Sequence, residues 1–138
     1  MAHHTRGRKS PAKATGEALK RVPRAPSWLS EEAVAEWRRI MPQLIERGTL
    51  TTADLSACEL YCAAVGDTLV ARKTIAAEGA TINTRLGDTK RHPAWTTLRE
   101  STTAARQWAA ELGLTPASRS RVATEAPDND DSASALGL

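Results

Sequence analysis

The sequence predicts a mainly α protein: a helical core of three main helices plus a short C-terminal helix, with a small β-hairpin between the second and third helices. Three observations carry this. Apolar residues recur at steps of three and four in three separate stretches, glycines stand at the ends of those stretches, and charge is segregated along the chain. Residues 1–26 hold seven Lys and Arg against Glu17 alone, a balance of +6; residues 27–121 are nearly neutral at +1; residues 122–138 carry Glu125, Asp128, Asp130 and Asp131 and no cation. The chain therefore reads as a flexible basic arm (1–26), a helical core and oligomerisation domain (27–121) and a disordered acidic tail (122–138).

The first helix starts at Ser30, an N-cap residue followed by Glu31 and Glu32 where carboxylates offset the helix dipole. Its stripe is Val34, Trp37, Ile40/Met41 and Leu44/Ile45, with Glu36, Arg38, Arg39, Glu46 and Arg47 mostly on the wet side, and Gly48 ends it. Pro42 inside this pattern predicts a kink or short break, and Trp28 is placed to staple the entry. The second helix opens at Thr51-Thr52-Ala53-Asp54, a capping box with Asp in place of Glu, and its apolar positions run from Leu55 to Ile75/Ala76, about seven turns, until Gly79. Gly66 is expected to soften its middle. Cys58 and Cys62, four apart on one face, read as buried thiols.

Between Ala80 and His92, β-branched residues flank a Gly87-Asp88 turn, the pattern of a hairpin. Ile82 is its one strong apolar residue, so the ribbon needs helices or a neighbouring subunit for support. The third helix follows His92-Pro93 and ends at Gly113, and its seam of Trp95, Leu98, Thr102, Ala105, Ala109 and Leu112 has small central residues that admit a partner helix, either the second helix of the same chain or another subunit. Thr115-Pro116-Ala117 sets up the short last helix.

The chain has 138 residues, too few for a multidomain enzyme, and no apolar run approaches a membrane span or a secretory h-region. A cytoplasmic protein without membrane association is the expectation. His3, His4 and His92 are its only histidines, no Gly-rich phosphate loop with Lys-Ser/Thr is present, and Cys58, Cys62 and His92 lack metal-site spacing. No catalytic residue, cofactor or metal is assigned. The cations Arg6, Arg8, Lys9, Lys13, Lys20, Arg21 and Arg24 of the arm suit phosphate backbones, since each one that neutralises a phosphate releases condensed counterions; the alternative is a solubilising tail. Arg85, Lys90 and Arg91 in the hairpin are further candidates for meeting DNA or an acidic surface, or else a solvated face. Trp37, Leu69 and the seam of the third helix are candidate core or oligomerisation residues.

Taken in order, Pro26-Ser27-Trp28-Leu29-Ser30, Trp37-Arg38-Arg39, Gly48-Thr49-Leu50-Thr51-Thr52-Ala53-Asp54, Leu60-Tyr61-Cys62, Lys90-Arg91-His92-Pro93 and the run from Ala110 to Arg119 resemble the small terminase subunits of tailed double-stranded-DNA phages, over residues 23–121. The resemblance implies a non-catalytic packaging component that recognises viral DNA, assembles into a homo-oligomeric ring, and delivers DNA to the large subunit, which holds the ATPase and nuclease and is regulated by its partner. It also implies a location in the cytoplasm of the infected bacterial host and absence from the mature virion. The stretch after Pro11 departs from the family's fuller Gly/Pro leader. Two other readings stand beside this one: a small dimeric DNA-binding regulator with a helix-turn-helix around Gly48-Thr49-Leu50-Thr51, and a scaffold or adaptor that does not bind DNA. Against the first, the helix after that turn opens with Ala53, Asp54 and Glu59, poor residues for phosphates or bases.

Overall fold

A computed structural model describes residues 16–125, with side chains for residues 16–121. Four helices and one hairpin follow in the expected order: α1 (Glu31–Glu46), a 3₁₀ turn (Thr52–Asp54) leading into α2 (Leu55–Glu78), β1 (Thr81–Asn83), β2 (Thr89–Arg91), α3 (Ala94–Glu111) and α4 (Pro116–Glu125). Helix α4 continues past residue 121, where the acidic tail was expected to begin.

Local chemistry explains the boundaries. Ser30 Oγ accepts the Ala33 N–H at 3.2 Å, satisfying one of the donors that the start of α1 leaves free. Asp54 accepts both the Thr51 N–H (2.8 Å) and the Thr51 hydroxyl (2.9 Å), which is the reach-back half of a capping box. Gly79, at φ +95°, stops α2 while its N–H still bonds the Ile75 carbonyl. Pro42 does not break α1, which is continuous from Glu31 to Glu46. It removes one backbone donor only, and the bonds on either side hold the register.

Helix α2 is the central element: α3 packs along it most extensively and α1 next. The core is the α1–α2 interface, where Leu29, Ala33, Trp37, Ile40, Met41 and Leu44 meet Leu50, Cys58, Tyr61 and Cys62. Both thiols are free and fully buried, and burial raises Cys58 to about 11 and Cys62 to about 12. They behave as small apolar groups.

Four expectations are corrected by the packing. Gly66 is buried at the closest approach of α1: a Cβ there would lie 2.8 Å from Ser30 Oγ and 2.9 Å from Ala33 Cβ, so glycine serves contact and not softness. The entry to α1 is held by buried Leu29, while Trp28 stays exposed and its indole N–H reaches Glu59 at 3.3 Å. Glu36, assigned to the wet side, is buried, because Arg39 and Tyr61 supply its hydrogen bonds. Within the arm, the Leu19 N–H bonds the Leu50 carbonyl at 2.8 Å, the Trp37 indole N–H bonds the Pro23 carbonyl at 3.0 Å, and Leu19 and Ala25 pack against the core. Residues 19–25 are thus docked rather than free: two apolar side chains and two backbone groups find partners that the composition of the segment does not reveal.

Candidate nucleic-acid and assembly interface

The hairpin pairs Thr81 with Arg91, Ile82 with Lys90 and Asn83 with Thr89 in antiparallel register, and all six strand residues are exposed. The Thr84 N–H to Asp88 carbonyl bond (2.8 Å) and Gly87 at φ +86° close its tip, which carries Arg85 and the almost fully exposed Leu86. Support comes from the helices, not from within the ribbon. The Ala80 carbonyl accepts both the His92 N–H (2.9 Å) and the Trp95 indole N–H (3.1 Å). His92 is buried, with Nδ1 accepting the Ala94 N–H at 3.0 Å and Nε2 lying 2.8 Å from Glu78 Oε2, so that Nδ1 is the acceptor and Nε2 the donor to the carboxylate. One imidazole therefore ties the end of α2 to the start of α3.

Directly paired residues share one face of a ribbon, so the register separates the hairpin cations. Lys90 shares a face with Ile82, whereas Arg91 shares the opposite face with Thr81. The Arg91 guanidinium lies 4.7 Å from the Trp95 ring centre, turned to α3. Arg85, Lys90 and Arg91 do not form one patch.

Among the arm cations, Lys20, Arg21 and Arg24 are exposed, and Lys20 pairs with Glu17 at 3.1 Å in full solvent, a contact that contributes little. Arg6, Arg8, Lys9 and Lys13 lie outside the described residues. The docked arm starts against Leu50, just ahead of α2, and runs back past Trp37 in the middle of α1, while the hairpin follows the far end of α2.

The candidate assembly residues divide by burial. Trp37 and Leu98 are buried; Ala105, Ala109 and Leu112 are half-buried; Leu69 and Thr102 are exposed; and Trp95 closes the hairpin base instead of lying in the helix seam. The partner that the α3 seam called for is α2 of the same chain. The face used is shifted from the expected stripe: Ser101 is buried and Trp108 packs against the core, while Thr102 stays exposed at the edge of the α2–α3 groove. Thr68 Oγ1 donates to Ser101 Oγ at 2.9 Å, and Ser101 in turn donates to the Leu98 carbonyl at 3.2 Å, so the polar seam is satisfied. What escaped the sequence reading was Ser101: a hydroxyl one residue ahead of the apolar stripe is invisible until its partner Thr68 is in place.

Beside this seam, Tyr61, Val65, Leu69, Thr102, Ala105 and Ala109 line an open groove of about 280 Å³ between α2 and α3, and Leu60, Leu69 and Val70 of α2 remain more than 40% exposed. Helix α2 has apolar residues all round its axis, interspersed with Glu59, Asp67, Arg72, Lys73 and Glu78, and α1 and α3 are the two helices packed on it. Among the described residues no group of His, Cys, Asp or Glu is arranged to hold a metal ion, and no helix is long and apolar enough to cross a membrane.

The family model of the phage terminase small subunit matches residues 33–129, which takes in most of α1, all of α2, the hairpin, α3 and α4. No curated protein and no solved structure matches the chain. The match covers well over half the sequence, and with it the role in phage genome packaging and the generally non-catalytic character of the family: this chain belongs to the small subunits of phage terminase.

Proposed function

We propose that the protein is the DNA-recognition and packaging-initiation component of its terminase: copies assemble into a ring, the basic arms and hairpins gather double-stranded viral DNA, and the ring delivers it to the large ATPase/nuclease subunit and regulates that subunit. The observation that carries this reading is the apolar groove between α2 and α3, lined by Tyr61, Val65, Leu69, Ala105 and Ala109 and left open in the single chain, on a chain with exposed cations in its arm and its hairpin. A face of that kind is expensive to leave wet and is covered when copies associate. Repetition then makes weak phosphate contacts effective, because a ring presents many arms to one duplex at high local concentration. The acidic residues Glu125, Asp128, Asp130 and Asp131 are the segment assigned to the large subunit.

Solution mass measured by light scattering, together with DNA retention as a function of salt, tests this reading. A homogeneous assembly of many 14.8 kDa protomers with steeply salt-dependent retention is expected. A monomer or dimer that stays so in the presence of DNA and the large subunit would remove the ring.

A further inference from the structure

Arg91 is set apart from the other hairpin cations by its register and faces a recess of about 420 Å³ at the start of α3, lined by Arg91, Trp95, Thr96, Arg99 and Thr103 with Pro93 at its rim. No carboxylate lines it. The nearby Glu78 carboxylate is engaged with His92 Nε2 at 2.8 Å, and Glu100, next to Arg99, points about 100° around the helix and lines a different recess. Trp95 and Arg99 stand four apart on α3, so the Arg91 guanidinium over the indole and the Arg99 side chain one turn further on project to the same side.

Both arginines are exposed, and neither forms an ion pair among the described residues. Two exposed guanidinium groups lining one recess that has no carboxylate make it electropositive, which favours an anion there. One of the two is also held in place. The Trp95 N–H bonds the Ala80 carbonyl, His92 clamps the hairpin to α2 and α3, and Arg91 rests on the fixed ring, so little side-chain freedom is lost when it engages a ligand. Planar arginine forks match phosphate oxygens in bidentate fashion, as a lysine ammonium does not.

We infer that Arg91 and Arg99, with Trp95 fixing Arg91, form a phosphate-binding site for the backbone of duplex DNA. This deepens the DNA-binding reading above and rests on it. The site contacts backbone and carries no base readout of its own. It positions the duplex against the start of α3, beside the hairpin, with no residue of the arm lining it.

The test is an R91A/R99A double variant of the full chain against wild type, with three readouts: solution mass, retention of a fluorescent 30-base-pair duplex between 50 and 300 mM salt, and stimulation of the large subunit's ATPase. Expected are an unchanged mass and a logarithmic salt slope shallower by about 2 for each protomer engaged, one for each lost phosphate contact. An unchanged slope at unchanged mass overturns the site. So does an altered mass, which would make the recess a contact between copies, and so does unchanged DNA retention with lost ATPase stimulation, which would make it a docking point for the large subunit. Failure of the wild type to retain DNA at any salt would instead remove the DNA-binding reading itself, and the site with it.

Discussion

The hydroxyl of Tyr61 on α2 donates a 2.8 Å hydrogen bond to the carboxylate of Glu36 on α1, in the interior of the α1–α2 interface. Arg39, one turn along α1, closes the other side of the same carboxylate with two further bonds, Nε to Oε2 at 2.7 Å and Nη2 to Oε1 at 2.5 Å. A buried charge is tolerated where its lone pairs are filled, and here they are filled from both helices. This network fixes how α1 lies on the helix that also carries the groove.

The network makes stability depend on pH at both ends. Burial works against ionisation of Glu36, but the hydrogen bonds from Arg39 and Tyr61 outweigh it and hold the carboxyl below its ordinary range. A depressed carboxyl contributes stability above its unfolded pKa of about 4.3, and that stability is lost as pH falls through the folded value. Burial, then the Glu36 charge, raises Tyr61 to about 12, so its contribution is present below about 10 and is lost as pH rises from 10 to 12. The buried thiols Cys58 and Cys62, raised to about 11 and about 12, lose stability on the same side from about 8.5 upward, so thermal melts are expected to show a plateau that ends near pH 8.5 and an alkaline limb shared by Tyr61 and the two thiols. Tyr61→Phe should make that limb shallower between about 10 and 12 and cost about 1.5–3 kcal/mol at neutral pH, the range for a bond to a charged partner. A limb of unchanged steepness in this variant would assign the whole alkaline loss to other groups.

Gly66→Ala tests the contact between α1 and α2. Alanine in a helix interior ordinarily gains up to about 1 kcal/mol over glycine. At this position the added methyl meets Ser30 Oγ, Ala33 Cβ and, at 3.0 Å, the Ala33 backbone nitrogen, so the N-cap of α1 must shift. Net destabilisation of about 1–3 kcal/mol is expected in denaturant titration; an increase in stability would mean that α1 does not approach so closely.

Truncation separates the two parts of the arm. Deleting residues 1–15 removes Arg6, Arg8, Lys9 and Lys13 and should make DNA retention less salt-dependent while leaving the melting temperature unchanged. Deleting residues 1–25 should also lower the melting temperature, because the Leu19 bond to Leu50, the Pro23 bond to Trp37 and the apolar contacts of Leu19 and Ala25 go with it. Equal melting of the two truncations would contradict the docking of residues 19–25.

Leu69→Glu addresses assembly. Leu69 is 42% exposed at the edge of the α2–α3 groove, so a charge there is compatible with the folded chain but not with a second copy covering the groove. Circular dichroism should be preserved while the scattering mass falls. A mass equal to that of wild type would assign the contact between copies to another surface.

The chain of residues from Ser30 to Pro116 was largely legible in the sequence, since caps, periodicity and breakers act over four residues or fewer. Ser30 begins α1, Asp54 reaches back to Thr51, Gly79 ends α2, and Gly87 turns the hairpin, each for a reason contained in its immediate neighbours. The order of short motifs likewise pointed to the terminase small subunits, to which the family match assigns the chain. Glu36 defeated the same reasoning because its burial depends on Tyr61, twenty-five residues away, and Gly66 because its role depends on Ser30 across the interface.

Composition and local pattern thus determined which segments are helices, where they stop, and that the protein carries basic residues near its start and in a hairpin. Tertiary structure alone decided that Leu19 and Pro23 dock on the core, that α3 buries Ser101 against Thr68 of α2 and leaves Thr102 at the edge of the groove, and that Arg91 joins α3 while Lys90 faces away. The physical reason is common to all three. Hydrogen-bond satisfaction and the face a side chain occupies are settled between elements, by groups that meet only when the chain has folded, and a one-residue change in register moves a cation from one surface to the other.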